Sequence, residues 1–164
     1  DKFLFGSQVK SILQYPEIAE KFSMALAKRF QKEKIDLVIG PALGGITLAY
    51  EVARSLNLRG IFAERQDGRM VLRRGFSIAK GEKALVVEDV ITTGSSTKEV
   101  IELVKSAGGI VIGVGSIIDR SSEKIDFGVK TEHLARIEIK TFERWETCPL
   151  CRSNVPIVKP GSRK

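Results

Sequence analysis

Short apolar runs, each followed by a stretch with helical spacing, constrain this chain more than any other feature. Residues 36–40, 60–63, 84–87 and 110–118 are rich in Val, Ile and Leu, and residues 135–139 form a weaker run of the same kind. Runs this short and this uniformly apolar are what strands buried on both faces require. Between them lie segments with a helical period. Pro16 and Glu17 open one in which Ile18, Phe22, Leu26 and Phe30 recur every four residues, with Lys21, Lys28 and Arg29 off that face. Residues 46–56 return to helical spacing before Asn57, and a helix expected over residues 95–107 carries Val100, Ile101 and Val104 inward until Gly108 and Gly109 stop it. The fold class expected is α/β, a mainly parallel central sheet flanked by helices.

A chain of 164 residues, 43% of them hydrophobic, has material for a single domain spanning residues 1–164. No apolar run approaches the roughly 18 residues of a membrane span, and no secretory leader is visible, which predicts a cytoplasmic protein. The chain begins at Asp1, directly on Phe3, Leu4 and Phe5, so an N-terminal segment is expected to be missing. Residues 145–164 hold three of the five prolines and are expected to form an irregular tail. Cys148 and Cys151 cannot make a disulfide framework of the secreted type. A lone C-x-x-C is half a zinc site, so a local disulfide, two thiols and a zinc shared between subunits all stay open.

The net charge of +7 favours an anionic partner, whether nucleic acid, a membrane surface or a phosphorylated small molecule. A solvated Lys- and Arg-rich surface gives the same total, so only clustered positions discriminate. Residues 64–76 are such a cluster: polar, strongly basic, and centred on Asp67 and Gly68, a pair that favours a tight hairpin turn.

The chemistry is concentrated in residues 85–97. Glu88 and Asp89 follow a buried apolar run, Val90 and Ile91 come next, and Thr92, Thr93, Gly94, Ser95, Ser96 and Thr97 lead into a helix. A helix N-terminus offers unpaired N–H groups and the positive end of the macrodipole, so it suits a phosphate. The hydroxyls add donors, and Gly94 allows close backbone approach. Ser95 is the expected helix cap. Two carboxylates would repel a phosphate but accept from the hydroxyls of a sugar diol. The ligand implied is a phosphorylated ribose. Competing phosphate motifs are absent: there is no G-x-x-x-x-G-K-[ST], and Gly113-Val-Gly115 lacks the third glycine of a dinucleotide fingerprint.

Residues 86–97 resemble the signature of the type I phosphoribosyltransferases: apolar strand, two acids, apolar pair, Thr-Thr-Gly-Ser. Residues 40–49, 62–65, 72–76, 118–120, 148–151 and 159–163 are similar to a bacterial branch of orotate phosphoribosyltransferases, so the likeness spans nearly the whole chain. The resemblance implies the type I fold with a basic hairpin over the active site, Mg²⁺ as cofactor, and a homodimer with shared sites. It implies that Glu88, Asp89, Val90, Ile91, Thr92, Thr93, Gly94, Ser95 and Ser96 bind 5-phosphoribosyl 1-pyrophosphate. Leu43 and Gly44, in the loop over residues 40–45 that would face the diphosphate, belong to the same set; many relatives carry a lysine there. Arg65, Arg69 and Arg73, with Arg74, match a mobile catalytic loop. Thr92 and Arg120 would hold orotate, whose carboxylate suits a bidentate guanidinium. Mg²⁺ would be carried mainly by substrate oxygens, with Glu88 and Asp89 as the side chains within reach. The reaction implied joins the phosphoribosyl group to orotate, giving orotidine 5-phosphate and pyrophosphate. A purine phosphoribosyltransferase, or a ligand-sensing regulator without catalysis, would share the sugar site; no added nucleic-acid-binding domain is visible.

Overall fold

The computed structural model describes Val9, residues 11–138 and residues 145–153. Phe3, Phe5, Ile139 and residues 159–163 lie outside that set. Helix α1 (Pro16–Phe30) leads to β1 (Leu37–Pro41), α2 (Gly44–Leu56), β2 (Arg59–Gln66), β3 (Arg69–Val71), β4 (Lys83–Ile91), α3 (Ser95–Ser106), β5 (Ile110–Asp119) and β6 (Lys130–Arg136). The tail holds a 3₁₀ turn (Trp145–Thr147) and α4 (Pro149–Arg152). Among the described residues the strands form one sheet in the order β3-β2-β1-β4-β5-β6. Every neighbour pair is parallel except β2 with β3, which form an antiparallel hairpin. The alternation of strand and helix in the sequence is thus realised as a mainly parallel sheet.

Both faces are covered. On one, Leu26 and Phe30 of α1 and Leu48 and Val52 of α2 pack on Val38, Leu85, Val87 and Ile117. On the other, Val100, Ile101 and Val104 of α3 pack on Leu37, Ile39, Val86 and Val114. Each fully buried Leu, Ile or Val contributes about 1.5–3 kcal/mol relative to exposure. Adjacent residues of β1 and β4 therefore feed opposite layers, as the period of two demands.

Several boundaries differ from the sequence reading. The buried face of α1 is Ala19, Ser23, Leu26, Ala27 and Phe30, while Ile18 is exposed. A strict four-residue repeat drifts around a helix with 3.6 residues per turn, so Ile18 and Phe30 cannot share one narrow face. Strand β2 continues past residue 63 into the hairpin, and β4 continues through Glu88 and Asp89 to Ile91. The last strand begins at Lys130 rather than at residue 135. It lies at the sheet edge, where a continuous apolar run is not needed. Asn57 adopts the left-handed conformation (φ 55°) that closes α2, and its N–H donates to the carbonyls of Ala53 and Arg54.

Candidate active site

From β1 the chain crosses through α2 to β2 on one side, and from β4 it crosses through α3 to β5 on the other. The strand order thus reverses between β1 and β4. In open parallel sheets such a reversal leaves a crevice at the carboxyl ends of the two strands, because the connecting helices depart to opposite faces. Here the crevice is flanked by the N-termini of α2 and α3, each with N–H groups that no capping side chain satisfies.

The two acids stand at this point of β4. Strand alternation sends them to opposite sides. Glu88 lines a small pocket of about 40 Å³ together with Val90, Ile91, Thr92, Thr93, Gly94, Ser95, Ser96 and Thr97. Asp89, only 4% exposed, lies against Gly44 at the start of α2, and its Oδ2 has no hydrogen-bond partner among the described residues. A side chain at Gly44 would collide with the Asp89 carboxylate, and one at Gly40 would collide with the Gly45 carbonyl. The glycines of residues 40–45 let the loop close down on the acid. The Ala42–Leu43 peptide is cis, and Leu43 projects outward, 74% exposed.

At the other helix the cap is Gly94 (φ 71°), not Ser95. Its left-handed backbone and the closeness of Ile125 and Phe127 leave no room for a side chain. Ser95 is instead the first helical residue: its N–H donates to Thr93 Oγ1 at 3.4 Å and its hydroxyl donates to Glu99 Oε1 at 3.4 Å. Thr92, Thr93 and Ser95 are exposed, whereas Thr97 is buried with a hydroxyl that has no partner among the described residues.

The basic segment forms the expected hairpin. Asp67 (φ 49°) and Gly68 (φ 82°) both have positive φ, as a two-residue turn between twisted strands requires. Its arginines are not equivalent. Arg65 pairs with Glu99 of α3 at 2.8 Å and also donates to the Gly68 carbonyl. Arg74 pairs with Glu64 at 3.1 Å and Arg73 approaches the same carboxylate at 3.8 Å. Arg69 makes no side-chain ion pair among the described residues; it lines a cleft of about 620 Å³ with Thr93, Ser95, Lys98 and Glu99, between the hairpin and α3. Glu99 and Lys98 were not singled out from the sequence. Their spacing of three and four residues from Ser95 on a helix was the available signal.

Arg120 follows β5. Its N–H donates to the Ile91 carbonyl at 2.9 Å, which sets it beside the start of the Thr92–Ser96 loop. Its half-buried side chain makes no ion pair or hydrogen bond among the described residues. Asp119 beside it is buried. Burial pushes its carboxyl up, but the Ser121 hydroxyl and N–H, His133 and Arg136 outweigh this and hold it below the usual Asp range. His133 sits with Nδ1 2.8 Å from Ser116 Oγ and Nε2 3.5 Å from Asp119 Oδ2. Its burial, stronger than the opposing pull of Asp119, lowers its pKa and keeps it neutral near pH 7. Cys148 is buried and Cys151 half-buried, and no group of three metal-binding side chains forms among the described residues.

The sequence profile of the family "Phosphoribosyl transferase domain" matches residues 8–132. The orotate phosphoribosyltransferase of Caldanaerobacter subterraneus is 62% identical over 157 residues, 96% of this chain and 82% of that protein. The orotate phosphoribosyltransferase of Thermotoga petrophila is 51% identical over 156 residues, 95% of this chain and 83% of that protein. Among solved structures, adenine phosphoribosyltransferase from Rhodothermus marinus superposes with a TM-score of 0.63 at 25% identity, covering 77% of this chain and 83% of that one. A phosphoribosyltransferase from Corynebacterium diphtheriae gives 0.65 at 24% identity, over 76% and 78%. The structural likeness reaches across the base specificities and so speaks for the fold, whereas the high identities single out one branch. With the family profile matching residues 8–132 and identities of 62% and 51% along nearly the full length, the chain belongs to the phosphoribosyltransferases and, within them, to the orotate phosphoribosyltransferases.

Proposed function

We propose that this orotate phosphoribosyltransferase performs its transfer in the crevice between β1 and β4, with the sugar diphosphate lying across the two helix N-termini. The 5-phosphate is received by the N-terminus of α3 and the hydroxyls of Thr92, Thr93, Ser95 and Ser96. The diphosphate faces the backbone of residues 40–45, including Leu43 and Gly44, and Arg69 supplies the side-chain charge that this loop lacks. Glu88 and Asp89 serve the ribose hydroxyls. Arg120 and Thr92 hold orotate so that its N1, its proton released to the departing pyrophosphate or to solvent, forms a bond to the anomeric carbon as the bond to pyrophosphate breaks, with inversion. The bond-breaking state has oxocarbenium character, so the chain's work is to stabilise departing charge with oriented N–H groups and arginines and to keep water out.

The observation that carries this reading is Asp89 Oδ2, a buried carboxylate oxygen without a partner among the described residues. An unsatisfied buried acceptor costs about 1–3 kcal/mol, which a ligand hydroxyl or cation recovers. The oxygen lies under Gly44, so a ligand reaches it with a small displacement of that loop. Mg²⁺ fits the same place: it favours one or two carboxylates completed by phosphate oxygens and water, and Asp89 can supply one there. Bound to the diphosphate, it would neutralise charge on the leaving group. The test is calorimetry of the sugar diphosphate with Mg²⁺ on the Glu88→Gln, Asp89→Asn double variant. Binding far weaker than wild type is expected, and unchanged affinity removes the ribose site.

We further propose a homodimer in which the hairpin serves the neighbouring site, with exposed Met24, Leu43 and Tyr50 available for contact between copies. Mixing inactive Arg69→Ala and Asp89→Asn proteins should then restore part of the activity. No helix of the described residues is long and apolar enough to cross a membrane, in keeping with a cytoplasmic enzyme of pyrimidine synthesis.

A further inference from the structure

The end of β5 holds a carboxylate whose partners exceed what ending a strand requires. Asp119 is 2% exposed. Its Oδ1 accepts the Ser121 N–H at 2.9 Å and the Ser121 hydroxyl at 2.6 Å, closing a turn with Arg120 at its centre. Its Oδ2 accepts from Arg136 Nη1 at 2.8 Å and faces His133 Nε2 at 3.5 Å. Arg136 also reaches the Ser121 carbonyl at 3.5 Å, so β6 braces the far end of the same turn. The main-chain N–H of Arg120 is fixed on Ile91 at 2.9 Å. Around Arg120, then, the polar groups of the turn are tied down on both sides, and the guanidinium alone stays without a partner among the described residues. Burying an ionised carboxylate is unfavourable unless donors surround it, so this one is a costly device for a surface turn.

We propose that Asp119 is a positioning residue for orotate: it holds the turn of residues 119–121 so that the Arg120 guanidinium is presented in a fixed orientation to the orotate carboxylate. The inference rests on the assignment of Arg120 to orotate above. A planar bidentate pair tolerates little angular error, so the energy of the pair depends on what aims the fork. Arg136 and Ser121 act on the same carboxylate and belong to the brace.

Steady-state kinetics, calorimetry of the sugar diphosphate and thermal melts on Asp119→Asn, Arg120→Ala and the double variant test the idea. Asparagine keeps the shape and an acceptor for Ser121 but loses the charge that holds Arg136. Asp119→Asn is expected to raise the orotate KM about tenfold, with kcat and sugar-diphosphate affinity within about twofold of wild type. In an Arg120→Ala background the same change should add nothing to the orotate KM, because its effect passes through the missing guanidinium. Additive effects, or equal losses in orotate and sugar-diphosphate binding, would show a merely structural role and overturn the proposal. If Arg120→Ala raises the orotate KM and Asp119→Asn does not, only the Asp119 role is wrong. If Arg120→Ala itself leaves orotate use intact, the assignment of Arg120 fails and the positioning role with it. Should Asp119→Asn not fold, Ser121→Ala removes one brace contact and should raise the orotate KM in the same direction; an unchanged KM there counts against the proposal.

Discussion

A Cβ placed on Gly44 would press on both carboxylate oxygens of Asp89, and neither partner can retreat easily. The acid is buried in β4 and the glycine opens α2, so the strain must move the loop or turn the carboxylate. Gly44→Ala is therefore expected to weaken sugar-diphosphate binding at least tenfold while the protein still folds, because the collision sits at the crevice rather than in either core layer. Calorimetric titration checks it, and wild-type affinity would show that the Gly44–Asp89 contact has no bearing on the ligand. Arg120 makes a different kind of point. Arg120→Ala should cripple orotate use and spare the sugar diphosphate, and Arg120→Lys should rescue only in part, since an ammonium cannot reproduce two parallel hydrogen bonds. Orotate KM and kcat across the three forms decide this; equal values would free the residue from that role.

The tip of the β2–β3 hairpin is joined to α3 by the half-exposed Arg65–Glu99 pair. Exposed ion pairs contribute about 0–1 kcal/mol, so the melting temperature should hardly change when the pair is cut. Arg65→Ala and Arg69→Ala are each expected to lower turnover at least tenfold with stability altered by less than about 0.5 kcal/mol. Full activity in both would make the segment a solvated hairpin and nothing more. The turn itself was legible in the sequence, because Asp67-Gly68 is a local signal. The sorting of its arginines was not: Arg65 meets a glutamate 34 positions away, and only the fold brings them together. The same division holds elsewhere. Residues 85–97 were legible as a strand leading through a glycine into a helix because strand, acids, glycine and hydroxyls are contiguous. Strand β6 was placed too late because Lys130, Thr131, Glu132 and His133 are polar, as an edge strand permits. Asp119 was not singled out, because nothing in the sequence tells that Arg136 and Ser121 enclose it.

At the scale of the whole molecule, His133 gives stability a dependence on pH. It is the chain's single histidine, and its folded pKa lies below the ordinary value of about 6.5. The unfolded chain therefore takes up the proton first. The stabilising contribution is complete above about pH 6.5 and is lost as pH falls through the lowered folded pKa. Asp119, also lowered, adds a second loss only below the ordinary Asp value of about 3.9. Melting temperatures measured from pH 8 down to 5 should decline on the acid side, and His133→Gln should flatten that limb even if it lowers the plateau. An unchanged slope in the variant would place the dependence elsewhere.

The sheet is two contiguous halves of the chain laid edge to edge. Residues 37–71 supply β1, β2 and β3, residues 83–136 supply β4, β5 and β6, and the halves meet where Leu37, Val38 and Ile39 pair with Ala84, Leu85 and Val86. Each half can begin to pair within itself as it is synthesised, but the join needs strands 47 positions apart in the chain, since Leu37 meets Ala84. Gly44 belongs to the first half and Asp89 to the second, so the crevice does not exist until the join is made. A sugar diphosphate lying across both, as proposed above, would be a fastener as well as a substrate. It binds only the joined form, so saturating it should slow the parting of the halves and protect that seam against proteolysis before any other part of the sheet.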